Sequence, residues 1–232
     1  MFFNPVYLLL IIIFMVIGLA VQARLKNVFG SFARIPLRSG LSGREVAEKM
    51  LRENGIYDVR VVSTEGRLSD HYNPHDKTVN LSADVYEGNS ITSAAVAAHE
   101  CGHAVQHAAN YSPLKLRSAL VPVVNFASMA MNFIYIAMFI LAFSYHLYNQ
   151  ALLAIIIAQA FVTFFALITL PVEIDASKRA LAWLNSTGMT RGEEHEKAET
   201  ALRWAAMTYI VAAMAAVAQL VYFIMQYNSR RN

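Results

Sequence analysis

The sequence predicts a mainly α membrane protein: about four transmembrane helices carrying a small α+β domain. Three observations predict it. The chain is 56% hydrophobic and only 15% charged, whereas soluble domains carry about a quarter charged residues. Four apolar stretches reach the roughly 20 residues that a bilayer span needs. Between the first two lies a polar segment with both helical and strand periodicity. Cys101 is the single cysteine, so an intramolecular disulfide framework is excluded. The net charge of +3 is small, and aromatics do not interleave with Lys and Arg, which argues against a nucleic-acid partner.

The first apolar stretch covers about residues 3–23. Val21-Gln22-Ala23 fits a signal-peptide cleavage site, but no positive charge precedes the stretch and its apolar run exceeds the usual length, so it is read as a retained anchor. The others cover about 119–143, 151–170 and 205–226. Segments 24–118 and 171–204 hold twelve and five of the 19 Lys and Arg residues, while 144–150 holds none. Four spans put both basic segments on one side, which the positive-inside rule makes cytoplasmic. Arg230 and Arg231 then fall outside, a conflict that a last segment short of a full span would remove. The expected division is 1–23 anchor, 24–118 polar domain, 119–170 two spans, 171–204 second polar segment and 205–232 last span and tail.

In the polar domain, "GLSGREVAEKMLRENG" (40–55) predicts an amphipathic helix capped by Ser42, with Val46, Ala47, Met50 and Leu51 as one stripe and Gly55 as its end. "YDVRVVST" (57–64) alternates as a strand does. "DHYNPHDKT" (70–78) has turn chemistry, and "TVNLS" (78–82) is a second strand. That strand could offer an edge to an extended substrate, or form a plain hairpin. A helix is predicted from Ser90 or Ser93 to about Asn110, stopped by Pro113.

That last helix contains His99-Glu100-Cys101-Gly102-His103, an H-E-x-x-H motif. Residues four apart differ by about 40° around a helix and about 6 Å along it, so two imidazoles can converge on one zinc ion. Glu100 beside them is placed to act on water rather than to bind metal. Cys101, about 200° round from His99, is read as packing, and Gly102 as a site of close approach. The plainer alternative is a helix whose histidines are merely satisfied. His107 continues the rhythm but lies about 12 Å from His99 along the axis, so it is excluded as third ligand. It is read as a supporting or surface residue.

A third ligand must come from elsewhere, and "LPVEIDASKRAL" (170–181) supplies an acid cluster tight against a span end. Glu173 is assigned as third ligand, beginning a helix that runs to about Asn185. Asp175 or Ser177 would orient a ligand histidine. His71 or Tyr72 in "SDHYNPH" could stabilise an oxyanion, although a polar turn is the favoured reading there. His195 is read as solvent-exposed. Met129, Met131 and Met138 are read as lipid-facing or packing residues.

The ordered set "GLSGREVAEKML", "LSDHYNP", "VNLSADVY", "AAHECGHAVQHA" and "LPVEIDASKRAL", together with the N-terminal anchor, resembles the YugP-type membrane neutral zinc metallopeptidases of bacteria over nearly the whole chain. The resemblance implies Zn²⁺ on His99 and His103, Glu100 as catalytic glutamate and a zincin-like (gluzincin) domain. Glu173 matches the acid of the family's second motif, and resembles the downstream glutamate of HtpX-type and CAAX-type membrane proteases. Those carry an aspartate four residues after the glutamate, whereas Asp175 follows by two. The expected function is zinc-dependent cleavage of membrane proteins or peptides, in the bacterial inner membrane with the site facing the cytoplasm. The lipid bilayer is the surrounding partner, and a homo-oligomer or regulatory membrane partner stays open. A non-catalytic zinc-binding adaptor or chaperone is the alternative. A small transporter would rest on Asn125, Asn132, Gln159 and Gln219, with no ionisable residue in mid-span.

Overall fold

The computed structural model describes residues 4–140 and 145–229, with side chains omitted at 138–140 and 145–147. It is mostly helical, with helices α1 (Pro5–Phe32), α2 (Gly43–Glu53), α3 (Ala83–Tyr86), α4 (Ile91–Ala108), α5 (Ser112–Ile140), α6 (Tyr145–Ser186) and α7 (Glu193–Asn228), and strands β1 (Arg60–Thr64), β2 (His71–Asn73) and β3 (Thr78–Ser82). Four of the helices, α1, α5, α6 and α7, are long and apolar enough to cross a membrane. Arg230, Arg231 and the side chain of Met138 lie outside the described residues.

The chain divides into two compact units. One takes in the described parts of Met1–Ala20, Leu116–Leu170 and Tyr209–Asn232; the other is Val21–Lys115 with Pro171–Thr208. The first unit is built from helices that expose large apolar side chains such as Leu9, Leu19, Phe126, Phe133 and Phe164, as a lipid-facing surface requires. Its interior holds Leu152, Ile155 and Phe223. Gln159 Nε2 and Thr163 Oγ1 both donate to the Ala216 carbonyl, at 3.2 and 3.1 Å. Gln219 Nε2 donates to the Tyr7 hydroxyl at 3.0 Å. These amides tie helices together, while Asn125 and Asn132 are exposed. Met129 is exposed and Met131 buried.

The second unit packs α2, α3 and the sheet against α4. Ser42 caps α2 in a capping box with Glu45, and Val46, Ala47, Met50 and Leu51 form the buried stripe. Gly55, at φ +71°, ends the turn that follows. The strand order is β1-β3-β2. β3 pairs parallel with β1 and antiparallel with β2. β3 is therefore central, and both its edges are taken, so it offers no edge to a substrate. Its alternation is weak because both faces are covered: Val79 and Leu81 are buried on one face, and Thr78 and Ser82 on the other. Residues 71–73, expected as turn, form β2, and the turn is confined to 74–77. The Asn-Pro and Asp signals mark the turn but do not forbid a short strand before it.

Nearly all of α4 is buried. A helix enclosed on every side needs small residues, and Ala94, Ala95, Ala97, Ala98 and Ala104 provide them. Ser90 caps it, accepting from the Ser93 N–H at 3.1 Å. Pro113 lies in the first turn of α5, where proline is tolerated. The expected helix start at Glu173 is not found. α6 runs unbroken from Tyr145 to Ser186, with Pro171 inside it. A proline there removes one backbone hydrogen bond, and long apolar helices tolerate that loss.

Glu173, Ala176, Ser177 and Ala180 consequently share one face of a continuous helix, at the i, i+3, i+4, i+7 spacing. Gly102 of α4 meets Ala176. A Cβ at position 102 would sit 2.5 Å from the Ala176 carbonyl oxygen and 3.1 Å from its Cα. These atoms are backbone and cannot swing aside. Gly102→Ala is therefore expected to destabilise the protein by about 1–3 kcal/mol, the usual cost of overpacking, despite the better helix propensity of alanine. Unfolding of the detergent-purified variant checks this, and a gain in stability would contradict it.

Candidate metal centre

His99 and His103 stand one turn apart on α4, with ring centroids 4.9 Å apart and planes at 83°. Both Nε2 atoms approach the same carboxylate oxygen of Glu173, at 3.3 Å from His99 and 3.6 Å from His103. One donor atom from each of the three residues lies within 4.8 Å of the other two. Glu173 is 2% exposed. Two donors at about 2.05 Å from one ion, at the tetrahedral angle, lie about 3.3 Å apart. The observed spacing fits a metal ion with little movement.

The chemistry of the donors fits as well. His103 Nδ1 faces Gln106 Oε1 at 3.0 Å. An amide oxygen only accepts, so Nδ1 carries a proton, and in the neutral ring Nε2 turns a lone pair toward the Glu173 carboxylate. Lone pairs and a carboxylate converging in a buried place require a cation or a proton between them. Burial by itself lowers the His103 pKa. The hydrogen bond to Glu173 and the negative charges of Glu100 and Glu173 outweigh it, and the net pKa lies above the ordinary histidine value.

The remaining sequence candidates separate by position. Glu100 is buried and is not a member of the three-donor group. Ser177 Oγ lies 3.1 Å from His99 Nδ1, so it touches a candidate ligand directly. Asp175 reaches His103 only through Gln106, whose Nε2 donates to it at 2.8 Å. Cys101 is fully buried, its thiol directed at the Ala47 carbonyl at 3.6 Å, and burial pushes the thiol pKa well up.

His71 is exposed, with Nδ1 against the Ser69 carbonyl at 2.8 Å. Tyr72 instead turns its hydroxyl to His107 Nδ1 at 2.7 Å. Burial and then the charge of Asp58 raise the Tyr72 pKa. His195, expected to be exposed, is half-buried, and its Nδ1 lies 3.0 Å from Thr190 Oγ1. The charged run around it hid the buried Thr190 beneath. Gln106 is the residue that sequence reasoning missed. A buried glutamine has no diagnostic spacing, so only the packing of α4 on α6 exposes it.

An H-E-x-x-H helix facing an acid from a neighbouring helix, in a chain with four membrane-length helices, defines a membrane protein with a candidate metal centre. Residues 7–228 match the family model described as "Putative neutral zinc metallopeptidase", and the chain belongs to that family, as its five motifs suggested. The protein named "Putative membrane protease YugP" from Bacillus subtilis (strain 168) is 40% identical over 211 residues, 91% of this chain and 92% of that one. No solved structure matches the chain.

One divalent ion per chain is expected to bind the purified protein. Replacement of His99, His103 or Glu173 by alanine should each weaken that binding at least tenfold in a chelator competition. Full-affinity binding by Glu173→Ala would remove Glu173 from the centre.

Proposed function

We propose that the protein is an integral-membrane zinc endopeptidase. Its substrates would be membrane proteins, or peptides held near the bilayer, cleaved at the cytoplasmic face of a bacterial inner membrane. The observation that carries this reading is the convergence of His99, His103 and Glu173 beside Glu100. Two imidazoles and one carboxylate form the donor set of open, catalytic zinc sites, whereas structural zinc has four closed ligands. Among the described residues no fourth His, Cys, Asp or Glu joins the group. That favours a hydrolase of gluzincin type over an adaptor or chaperone that keeps zinc for structure.

Zinc held by these three residues would supply Lewis-acid polarisation of the scissile carbonyl and of the attacking water. Glu100 takes the proton of that water as general base and returns it to the leaving nitrogen as general acid. Tyr72, steadied by His107, donates a hydrogen bond to the oxygen that becomes negative as the carbonyl is attacked. Ser177 orients His99. A cavity of about 610 Å³ is lined by Lys26 and Phe29 of α1 and by Thr92 and Val96 of α4. Thr92 and Val96 fall on the helical face that continues to His99 and His103, and the volume suits a segment of substrate. The Lys and Arg distribution supports the cytoplasmic orientation, and the membrane-length helices support a membrane-associated substrate.

Glu100→Gln should retain a full equivalent of zinc and lose about 10²–10⁴ in kcat, the usual contribution of a general base. Assay in proteoliposomes with a membrane-anchored reporter checks both. Unchanged cleavage by the zinc-loaded variant would exclude the mechanism. Tyr72→Phe should lower kcat by about 10²–10³ with KM and zinc content unchanged, as loss of one oxyanion donor does. A change confined to KM would assign Tyr72 to substrate binding instead.

A further inference from the structure

We propose that Gln106 is a positioning residue that selects the His103 tautomer competent to bind metal. The inference rests on the reading of His103 as a ligand. Gln106 is fully buried, and both ends of its amide are committed. Nε2 donates to the Val172 carbonyl at 2.8 Å and to Asp175 Oδ2 at 2.8 Å. Asp175 is in turn held by Arg179, whose Nε donates to Oδ2 at 2.6 Å. Arg179 lies over the Tyr111 ring at 5.8 Å. Asp175 Oδ2 thus accepts from both Gln106 and Arg179, and the amide has one orientation. A flip would set Oε1 against a carbonyl and a carboxylate, three acceptors with no proton among them.

With the amide so fixed, Oε1 faces His103 Nδ1 as an acceptor and Nδ1 must carry the proton. Nε2 is then the ring nitrogen with a free lone pair, and it is the atom that faces Glu173. The relay Arg179–Asp175–Gln106–His103 thus transmits an orientation from α6 to α4. His99 has no equivalent. The Ser177 hydroxyl at its Nδ1 can rotate to donate or to accept, so it steadies the ring without selecting a tautomer. Partners that hold a ligand histidine in this way typically contribute 10–100-fold to metal affinity.

The test measures Zn²⁺ affinity of the full-length protein in detergent by chelator competition, with the d–d spectrum of the Co²⁺-loaded protein as a second readout. Gln106→Leu should weaken Zn²⁺ binding about 10–100-fold and alter the Co²⁺ spectrum, while far-ultraviolet circular dichroism stays that of wild type. Gln106→Glu alone should also weaken it, because two carboxylates then face each other. The ¹⁵N shifts of the histidine rings in the metal-free protein at alkaline pH give a third readout: wild type should show His103 protonated at Nδ1, and Gln106→Leu should gain the Nε2-protonated tautomer. A merely structural role for Gln106 predicts no change of tautomer. Wild-type affinity in Gln106→Leu, or an unchanged His103 tautomer in that variant, would overturn the proposal. His103→Ala separates the two levels. If it binds as wild type, the ligand reading fails. If it loses binding while Gln106→Leu does not, only the positioning role fails.

Discussion

The close approach of α4 to α6 at Gly102 is the constraint on which the rest of the centre depends. With hydrogen in place of a Cβ, the α4 backbone comes within contact of the Ala176 carbonyl. On each side of that contact a candidate side chain faces across: His99 and His103 flank Gly102, and Glu173 and Ser177 flank Ala176. A larger side chain at either position would push the helices apart and open the 3.3 and 3.6 Å spacings together. Ala98 and Ala180, both fully buried, extend the same small-residue seam. The register of two helices is thereby converted into the geometry of a donor set.

Burial of Glu173 follows from the same packing. A carboxylate removed from water is costly unless partnered, and here two imidazole nitrogens face one of its oxygens. The donors sit on helices rather than loops, which holds them more closely than a loop could. The continuity of α6 matters for that reason. Had Pro171 broken the helix, Glu173 would have begun a new element with its own freedom. Instead its backbone is fixed from both sides, and Asp175, Ser177 and Arg179 keep set positions around it.

Local features of the centre were legible because they are periodic. The four-residue spacing of His99 and His103, the cap at Ser42 and the apolar stripe of α2 are each written within one turn or two of helix. The packing role of Cys101 and the close approach at Gly102 followed from angle and propensity alone. Glu173 could be paired with the histidines only by counting spans and sides, a non-local argument. The expected helix start at Glu173 failed because the preceding apolar helix runs on through Pro171 without a break. The central place of β3 and the half-burial of His195 depend on what lies against them, which no single segment records. Gln106 was illegible for the same reason: its role exists only where α4 meets α6.

The centre stands or falls on whether His99, His103 and Glu173 hold one metal ion between two helices. X-ray absorption at the zinc edge of the loaded, detergent-purified protein tests it most directly. The expected first shell is nitrogen and oxygen only, at about 2.0–2.2 Å, with the outer scattering of two imidazoles and the loss of one protein oxygen in Glu173→Ala. A sulfur scatterer near 2.3 Å would place Cys101 in the shell, and a single imidazole would break the pair; either result would contradict the claim.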